Sequence, residues 1–500
     1  MLLDRASDEY TGGVVATISP SSAAPQGFLY EHLADELSRA IDRGALRAGD
    51  RLPSVRRLAQ ERCVSVSTVL EAYVRLENAG LIEVRPKSGH FVRRRGPITA
   101  EPRAPRACVT PSRVVVTDAY TEILAAMRDP ALVPLGSAVI DPSYLPIGSL
   151  NRILVSLARE MGSVGARYEA APGLVTLRRQ IARRSVECGV ALGEDDLCTT
   201  IGATEAMCLA LRAIARPGDV IAIESPAYFG VLQAIRSLGL RVLEIPANPR
   251  TGIDVSAFED TVRGQTVRAL VVMPTVSNPL GGIVPDDERE RLVAIARRHD
   301  VAVIEDDVHS ELVFDGSRPR PLRAFAPGED SHVVYLSSVS KTLAPGYRVG
   351  WIAGGRWHDA IVRIKYSQSL ACPALTGMAI AEFLASGGYD RHLRRLRTAV
   401  AGNVERFREA IADAFPEGTR VSSPRGGFVL WVELPPGGDA LALHAAALKR
   451  GIVIAPGSLF SARQRFGGFI RVSAGTPWSP RIAEAIKTLG KLAASTSARA

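Results

Sequence analysis

The spacing of apolar positions changes several times along the chain, and each change marks an element. From Phe28 onward, Leu29, Leu33, Leu37 and Ile41 recur every four residues, which predicts an amphipathic helix ended by Gly44. Pro53 and Ser54 then open a short helix over Val55–Glu61, with Ser54 as its N-cap. A tight turn through Cys63, Val64 and Ser65 leads into a second helix, from about Ser67 to Asn78, which Ala79-Gly80 terminates. Leu81 to Arg85 and His90 to Arg93 alternate as two strands around the turn Pro86-Lys87-Ser88-Gly89. Two short helices across a tight turn, followed by a β-hairpin, predict a winged helix-turn-helix.

Farther on, helix-like and strand-like segments alternate. The buried-strand candidates are Val220 to Ile223, Leu270 to Met273, Val301 to Ile304, Val333 to Leu336 and Arg348 to Ala353. Such alternation predicts an α/β domain with a mostly parallel central sheet covered on both faces. From about Asp390 the order becomes helix, strand (Phe428 to Glu433), helix, strand, which predicts a smaller α+β C-terminal lobe. The expected organisation is multidomain: a flexible leader over residues 1–25, a mostly α unit with a β wing over 26–95, a linker over 96–116 and the α/β domain over 117–500. Pro97, Pro102, Pro105 and Pro111 make the linker semi-extended.

Composition narrows the setting. At 46% hydrophobic and 23% charged, the chain can bury a large core. Its six cysteines form no C-x-x-C pair, so they read as free thiols of a reducing cytoplasm rather than disulfides or zinc ligands. The first residues lack the apolar run of a signal peptide, and no stretch is long and apolar enough to cross a bilayer. Net charge is +9, and from Arg43 to Arg106 there are fourteen Lys/Arg against six Asp/Glu. A basic excess concentrated in one small segment points to a phosphate backbone as partner.

In a helix-turn-helix the second helix enters the major groove with its first residues at the base edges. Here those are Ser65, Val66, Ser67 and Thr68, with Arg56 and Arg57 on the preceding helix placed for phosphate or guanine. The wing tip, Lys87, Ser88 and His90, is expected to follow the adjacent groove. The run LPSVRRLA, the Val-Ser-x-Ser-Thr-Val turn and AYVRLENAGLIEVRPKSGHFV together resemble the GntR family of bacterial regulators over Leu29 to Val92, which implies binding to a double-stranded DNA operator.

A second chemistry lies in SSVSKTLAPGYRVGW, Ser337 to Trp351. One amine (Lys341), hydroxyls (Ser338, Ser340) and one guanidinium (Arg348) on a Ser/Gly/Pro-rich loop suit an aldehyde cofactor that also carries a phosphate, as pyridoxal 5'-phosphate does. Four other windows supply the remaining contacts. Gly202-Ala203-Thr204 starts a helix, where free N–H groups attract an anion. ESPAYFG presents Tyr228 for ring stacking, and PTVSNPLGGIVP presents the Asn278 amide to a phenolic oxygen. VAVIEDDVHSEL ends a strand in Asp306, a carboxylate that can keep a pyridine nitrogen protonated.

The order and spacing of these windows resemble fold-type-I pyridoxal-phosphate enzymes, the aspartate-aminotransferase superfamily, from about Asp118 to Leu489. That resemblance implies Lys341 as the Schiff-base lysine, Asp306 as nitrogen partner, Asn278 as oxygen donor and Tyr228 as stacking ring. It also implies a phosphate cup of Ala203, Thr204, Ser338, Ser340 and Arg348, and a role for Tyr168 at the neighbouring subunit's phosphate in a homodimer. Arg471, in FIRVSAGTPW, matches the arginine that clamps an amino-acid carboxylate. One position departs: His309 stands where the family usually has a tyrosine, and an imidazole there is expected to donate a hydrogen bond and titrate near neutrality.

A GntR-type reader followed by an aminotransferase-like domain resembles the MocR branch of that family. The resemblance implies a cytoplasmic, homodimeric, pyridoxal-phosphate-dependent transcription regulator that senses the cofactor, an amino compound, or both. The residues leave a second reading open: an active aminotransferase acting on an amino acid and a 2-oxo acid.

Overall fold

The computed structural model describes residues 29–47, 49–78, 81–85, 88–92, 100–105, 110–115, 121–123, 125, 129–162 and 166–497. The expected leader, Ala79-Gly80 and the wing residues Pro86 and Lys87 lie outside the described residues. The chain divides into two compact units, one of Met1–Leu76 with Val84–Val92 and the other of Glu77–Glu83 with Arg93–Ala500.

In the smaller unit, α1 (Leu29–Asp42), α2 (Val55–Glu61) and α3 (Val66–Asn78) fall where the sequence predicts them. Ser54 caps α2 by accepting from the Arg57 amide at 3.3 Å, and Ser65 caps α3 by accepting from the Thr68 amide at 3.0 Å. The buried face of α3 is Val69, Ala72, Tyr73 and Leu76, and Leu33, Leu37 and Leu58 are buried in the same unit. Strand β1 (Ile82–Arg85) pairs with β2 (Gly89–Val92) to form the wing, and Asp50 and Leu52 add backbone hydrogen bonds to β2.

The larger unit is built on an eight-stranded sheet. Its order is β4 (Leu197–Thr200), β11 (Gly350–Ala353), β10 (Val333–Ser338), β9 (Ala302–Asp306), β8 (Ala269–Val272), β5 (Val220–Ser225), β6 (Arg241–Asn248) and β7 (Gly252–Ile253). The β10–β9–β8–β5–β6 run is parallel, whereas β11 is antiparallel to both of its neighbours. Alternate residues feed two separate cores: Ile223, Val271 and Ile304 pack on one face, Ala222, Leu270 and Val303 on the other. This burial on both sides is why the strands read as continuous apolar runs. Strands β4 and β6 were not among the sequence candidates. Polar Thr199, Thr200 and Glu244 interrupt their apolar pattern, although all three are buried.

A short pair, β3 (Glu169–Ala170) with β12 (Ala371–Cys372), lies outside the main sheet. The smaller lobe carries β13 (Arg420–Val421), β14 (Val429–Glu433), β16 (Phe469–Ser473) and β15 (Ala455–Pro456) in that order. Helices Gly388–Ala414 and Pro480–Ser497 cover this sheet with Val400, Phe407, Ile486 and Leu489. No helix among the described residues is long and apolar enough to cross a membrane.

The expected linker is held against the larger unit wherever it is described. The Ala100 carbonyl accepts from the Val421 amide at 3.0 Å, the Arg103 amide donates to Glu433 at 3.0 Å, and Glu101 accepts from Arg250 at 2.6 Å. Ser112 exchanges two backbone hydrogen bonds of 2.8 Å with Val242 of β6. Proline sets the extended geometry, but these partners convert a tether into a strap.

Candidate functional site

The C-terminal ends of β9 and β10 open into a cavity of about 320 Å³, and the two strands are in parallel register with Leu336 opposite Asp306. Open α/β sheets present their sites at this edge. Asp306 ends β9. Ser338, at the end of β10, caps the turn that carries Ser340 and Lys341 by accepting from the Ser340 amide at 3.4 Å. Lys341 is half-buried in the cavity wall and its Nζ donates to the Ala138 carbonyl at 2.8 Å.

The floor electrostatics oppose full ionisation. Burial pushes the Lys341 amine down to about 8, helped by Arg471 and Arg348 against the pull of Asp306. Burial pushes the Asp306 carboxyl up to about 7, opposed by the Val308 amide that donates to it at 3.3 Å. These are the directions of an amine available as a nucleophile and a carboxyl that gains from a positively charged partner.

At one end, Gly202 has φ +101° and precedes the helix Ala203–Ile214. A Cβ on Gly202 would come within 2.4 Å of the Arg348 guanidinium, so glycine is required for that side chain to lie against the helix start. Arg348 itself donates to the Ile201 and Pro345 carbonyls at 2.7 and 3.1 Å. Ala203, Thr204, Ser338, Ser340 and Arg348 all line this end of the cavity. The Tyr228 ring lies over Gly230, where a Cβ would come within 2.4 Å of it.

At the other end Arg471, on β16, is fully buried. Its terminal nitrogens donate to Asn278 Oδ1 at 3.0 Å and to the Gly136 carbonyl at 2.6 Å, and its guanidinium lies over the rings of Phe229 and Phe460 at 5.3 and 5.0 Å. Each terminal nitrogen keeps a second N–H for a carboxylate. Because Asn278 spends its oxygen on Arg471, its Nδ2 is left as the donor.

His309 also lines the cavity, with Nδ1 3.1 Å from the Val276 carbonyl. Burial, with the nearby charges of Lys341 and Arg471, pushes its pKa down to about 3, so the expected titration near neutrality does not hold. Tyr168 is 81% exposed and does not line the cavity.

On the smaller unit, Arg57 pairs with Glu61 at 2.7 Å, whereas the neighbouring Arg56 is exposed with no acidic partner among the described residues. Ser65, Ser67 and Thr68 cluster their hydroxyls, with Ser65 Oγ 2.7 Å from each of the other two. Ser88 is exposed at the wing, and the His90 ring packs on Tyr73 with centroids 4.6 Å apart.

Residues 29–92 match the family of bacterial regulatory proteins, gntR family, and residues 147–489 match aminotransferase class I and II. Escherichia coli YjiR, described as an HTH-type transcriptional regulator, is 37% identical over 92% of this chain and 98% of its own length. YdcR of the same organism, described likewise, is 36% identical over 93% of this chain and 98% of its own. The chain belongs to the MocR branch of the GntR family.

Solved structures extend the comparison to the larger unit of this MocR-type chain. The α-aminoadipate aminotransferase LysN of Thermus thermophilus, in complex with N-(5'-phosphopyridoxyl)-L-leucine, superposes with TM-score 0.71 and 28% identity, covering 78% of this chain and 97% of that one. The kynurenine aminotransferase of Pyrococcus horikoshii gives TM-score 0.70 and 25% identity, covering 76% and 95%.

Three contributors to the MocR-type cavity were missed in the sequence. The Ala138 and Gly136 carbonyls hold Lys341 and Arg471, and the Val276 carbonyl orients His309. All three act through the backbone, so their side chains carry no signal. The glycine at 136 was a local signal, since a Cβ there would come within 2.8 Å of the Ile454 backbone.

Proposed function

We propose that this chain is a transcription regulator that binds an operator in duplex DNA through α2, α3 and the wing. Its larger unit holds pyridoxal 5'-phosphate, with an amino compound as co-ligand. The observation that carries this reading is the convergence of Lys341, Asp306 and Arg471 on one cavity, in a chain that also has a GntR helix-turn-helix. The donor set fits the cofactor. Gly202 keeps a helix start open beside Arg348 for a phosphate, Tyr228 offers a flat wall, and Asp306 sits buried without a cationic hydrogen-bond partner among the described residues.

Bound there, the cofactor would supply an aldehyde for an amine and an electron-withdrawing ring. Lys341 would offer its amine at the aldehyde, and Asp306 would hold a proton on the ring nitrogen. Arg348, Ser338, Ser340 and the amides of Ala203 and Thr204 would bind the phosphate. Asn278 would donate from Nδ2 to the ring oxygen, while Arg471 would orient a carboxylate by its two remaining N–H groups. The cavity walls would exclude water from the amine. In a homodimer Tyr168, exposed in the single chain, would reach the phosphate of the neighbouring subunit. The protein would act in the cytoplasm, where its operator lies.

The intact pair of Lys341 and Asp306 also favours a second reading, an aminotransferase acting on an amino acid and a 2-oxo acid. Relatives with that printed activity, such as the 2-aminoadipate transaminase of Thermus thermophilus at 29% identity, are more distant than YjiR and YdcR. The deciding experiment measures operator affinity of apoprotein, cofactor-loaded protein and protein saturated with amino acids, beside a multiple-turnover assay with amino donors and 2-oxo acids. Ligand-dependent affinity without turnover supports the regulator. Turnover with constant affinity supports the enzyme.

A further inference from the structure

We propose that an outward row of apolar side chains on α3 reads the 5-methyl groups of thymine, so that Val66 and Leu70 specify T·A pairs within each half-site. The inference rests on the DNA-binding reading above and adds a base preference to it.

Val66, Leu70 and Val74 are 52%, 50% and 42% exposed. Their four-residue spacing places them in one row on the helix surface. A single exposed aliphatic residue needs no explanation, but three in line on a helix of 13 residues do. They are not spare core, because the adjoining face already fills the interior with Val69, Ala72, Tyr73 and Leu76, each at most 2% exposed.

The polar groups at the same end of α3 are occupied. Ser65 Oγ accepts from the Thr68 amide at 3.0 Å and lies 2.7 Å from both Ser67 Oγ and Thr68 Oγ1. Ser65 caps the helix, and its hydroxyl is fully engaged by the Thr68 amide and the two neighbouring hydroxyls. Val66 stands between them at the tip that leads into the groove, with Leu70 one turn behind. A side chain with no donor or acceptor can tell bases apart through the one apolar group the major groove displays, the thymine methyl.

Charge selects DNA as the occupant. Arg56 is exposed on α2 with no acidic partner among the described residues, exposed Arg57, Arg62 and Arg75 are paired with Glu61, Glu36 and Glu31, and the segment as a whole carries fourteen basic against six acidic residues. That surface complements phosphates. A second copy seated on the same face would bring its own arginine excess against this one.

The test uses the full chain. Duplexes enriched from a randomised library are resynthesised with deoxyuridine replacing each thymine in turn, which removes the methyl and keeps every hydrogen-bonding group. At one or two positions per half-site, deoxyuridine should weaken binding about four-fold, the equilibrium equivalent of one buried methylene-sized group. Val66→Ala and Leu70→Ala should each weaken binding to the thymine duplex and abolish the thymine–uracil difference at one position. Both sites are exposed, so unchanged circular dichroism and melting should accompany the loss. Sequence-specific binding with a flat deoxyuridine scan would overturn the inference and leave the DNA-binding reading standing. Variants that change sedimentation but not the scan would assign the row to a protein contact and overturn it too. Absence of any sequence-specific duplex binding would overturn both.

Discussion

His309 holds Nδ1 3.1 Å from the carbonyl oxygen of Val276, and a carbonyl can only accept. Nδ1 therefore carries the ring proton. With the pKa pushed down to about 3 by burial and by the charges of Lys341 and Arg471, the ring stays neutral and Nε2 presents a lone pair. Nε2 has no partner among the described residues. The expected donor at this position is thus an acceptor. Replacing it by a phenol, His309→Tyr, should restore a donor, strengthen cofactor retention and move the pH midpoint of the bound cofactor's absorbance downward. A spectrophotometric pH titration of the loaded variant checks this. An unmoved midpoint would separate His309 from the cofactor oxygen.

Lys341→Ala should abolish cofactor incorporation that borohydride can fix, read by mass spectrometry, with little change in melting. The amine makes one hydrogen bond, to Ala138, so the fold loses little with it. Asp306→Ala should instead weaken cofactor binding, because the ring nitrogen loses its partner. Fixable incorporation in Lys341→Ala would move the role to another lysine.

Glu224, the penultimate residue of β5, has one carboxylate oxygen accepting from the Met273 amide at 3.2 Å and the other without a partner among the described residues. Burial pushes its pKa up to about 8, with the charge of Asp306 adding to the rise. A carboxyl raised in the folded state contributes stability below its unfolded value, lost as pH climbs to the folded value. Glu224→Gln should therefore melt close to the parent at pH near 4, rise progressively above it as pH climbs to about 8, and keep a constant advantage beyond that. The divergence is read by thermal melts of apoprotein. A difference independent of pH would show that Glu224 is ionised throughout.

Arg56 is exposed and unpaired with any acid among the described residues, while Arg57 is engaged with Glu61. Arg56→Ala should cost roughly 1–3 kcal/mol of operator affinity with relaxed specificity at one base pair if it is bidentate to guanine. If it meets only phosphate, affinity should fall for all sequences and the salt slope by about one. Arg57→Ala should cost less, since the free side chain already has a partner. Fluorescence anisotropy across a salt series distinguishes these outcomes.

On the proposed function, the strap would carry a movement of the lobe along the chain towards the smaller unit. Glu433 of the smaller lobe accepts from the Arg103 amide, while Arg250, in the turn between β6 and β7, holds Glu101. Movement of the lobe bearing Arg471 would then pull on residues 100–103. Typical couplings of about 1–3 kcal/mol predict a several-fold or larger change in operator affinity on adding cofactor and amino acid. Glu101→Ala combined with Glu433→Ala should reduce that change while leaving cofactor affinity intact. Arg471→Ala should remove the amino-acid part alone.

Local signals decided much of this protein. The four-residue apolar spacing from Leu29, the cap at Ser54, the tight turn through Ser65 and the glycine at 202 act within one or two turns of chain, so helices α1 to α3 and the start of helix Ala203–Ile214 were legible from residues alone. The strands β5, β8, β9 and β10 were legible because burial on both faces leaves an unbroken apolar run. Tertiary structure decided what depends on distant partners. Buried polar residues in β4 and β6 hid those strands until neighbours enclosed them. The carbonyls of Ala138, Gly136 and Val276 are present in every sequence and become specific through their placement. The neutrality of His309 follows from desolvation and two remote cations, the docking of the linker from Val421, Glu433 and Val242, and the outward turn of Val66 and Leu70 from a core already filled by their neighbours. Periodicity and capping are short-range and survive in one dimension, whereas desolvation, charge proximity and backbone hydrogen-bond partners exist once the chain has closed upon itself.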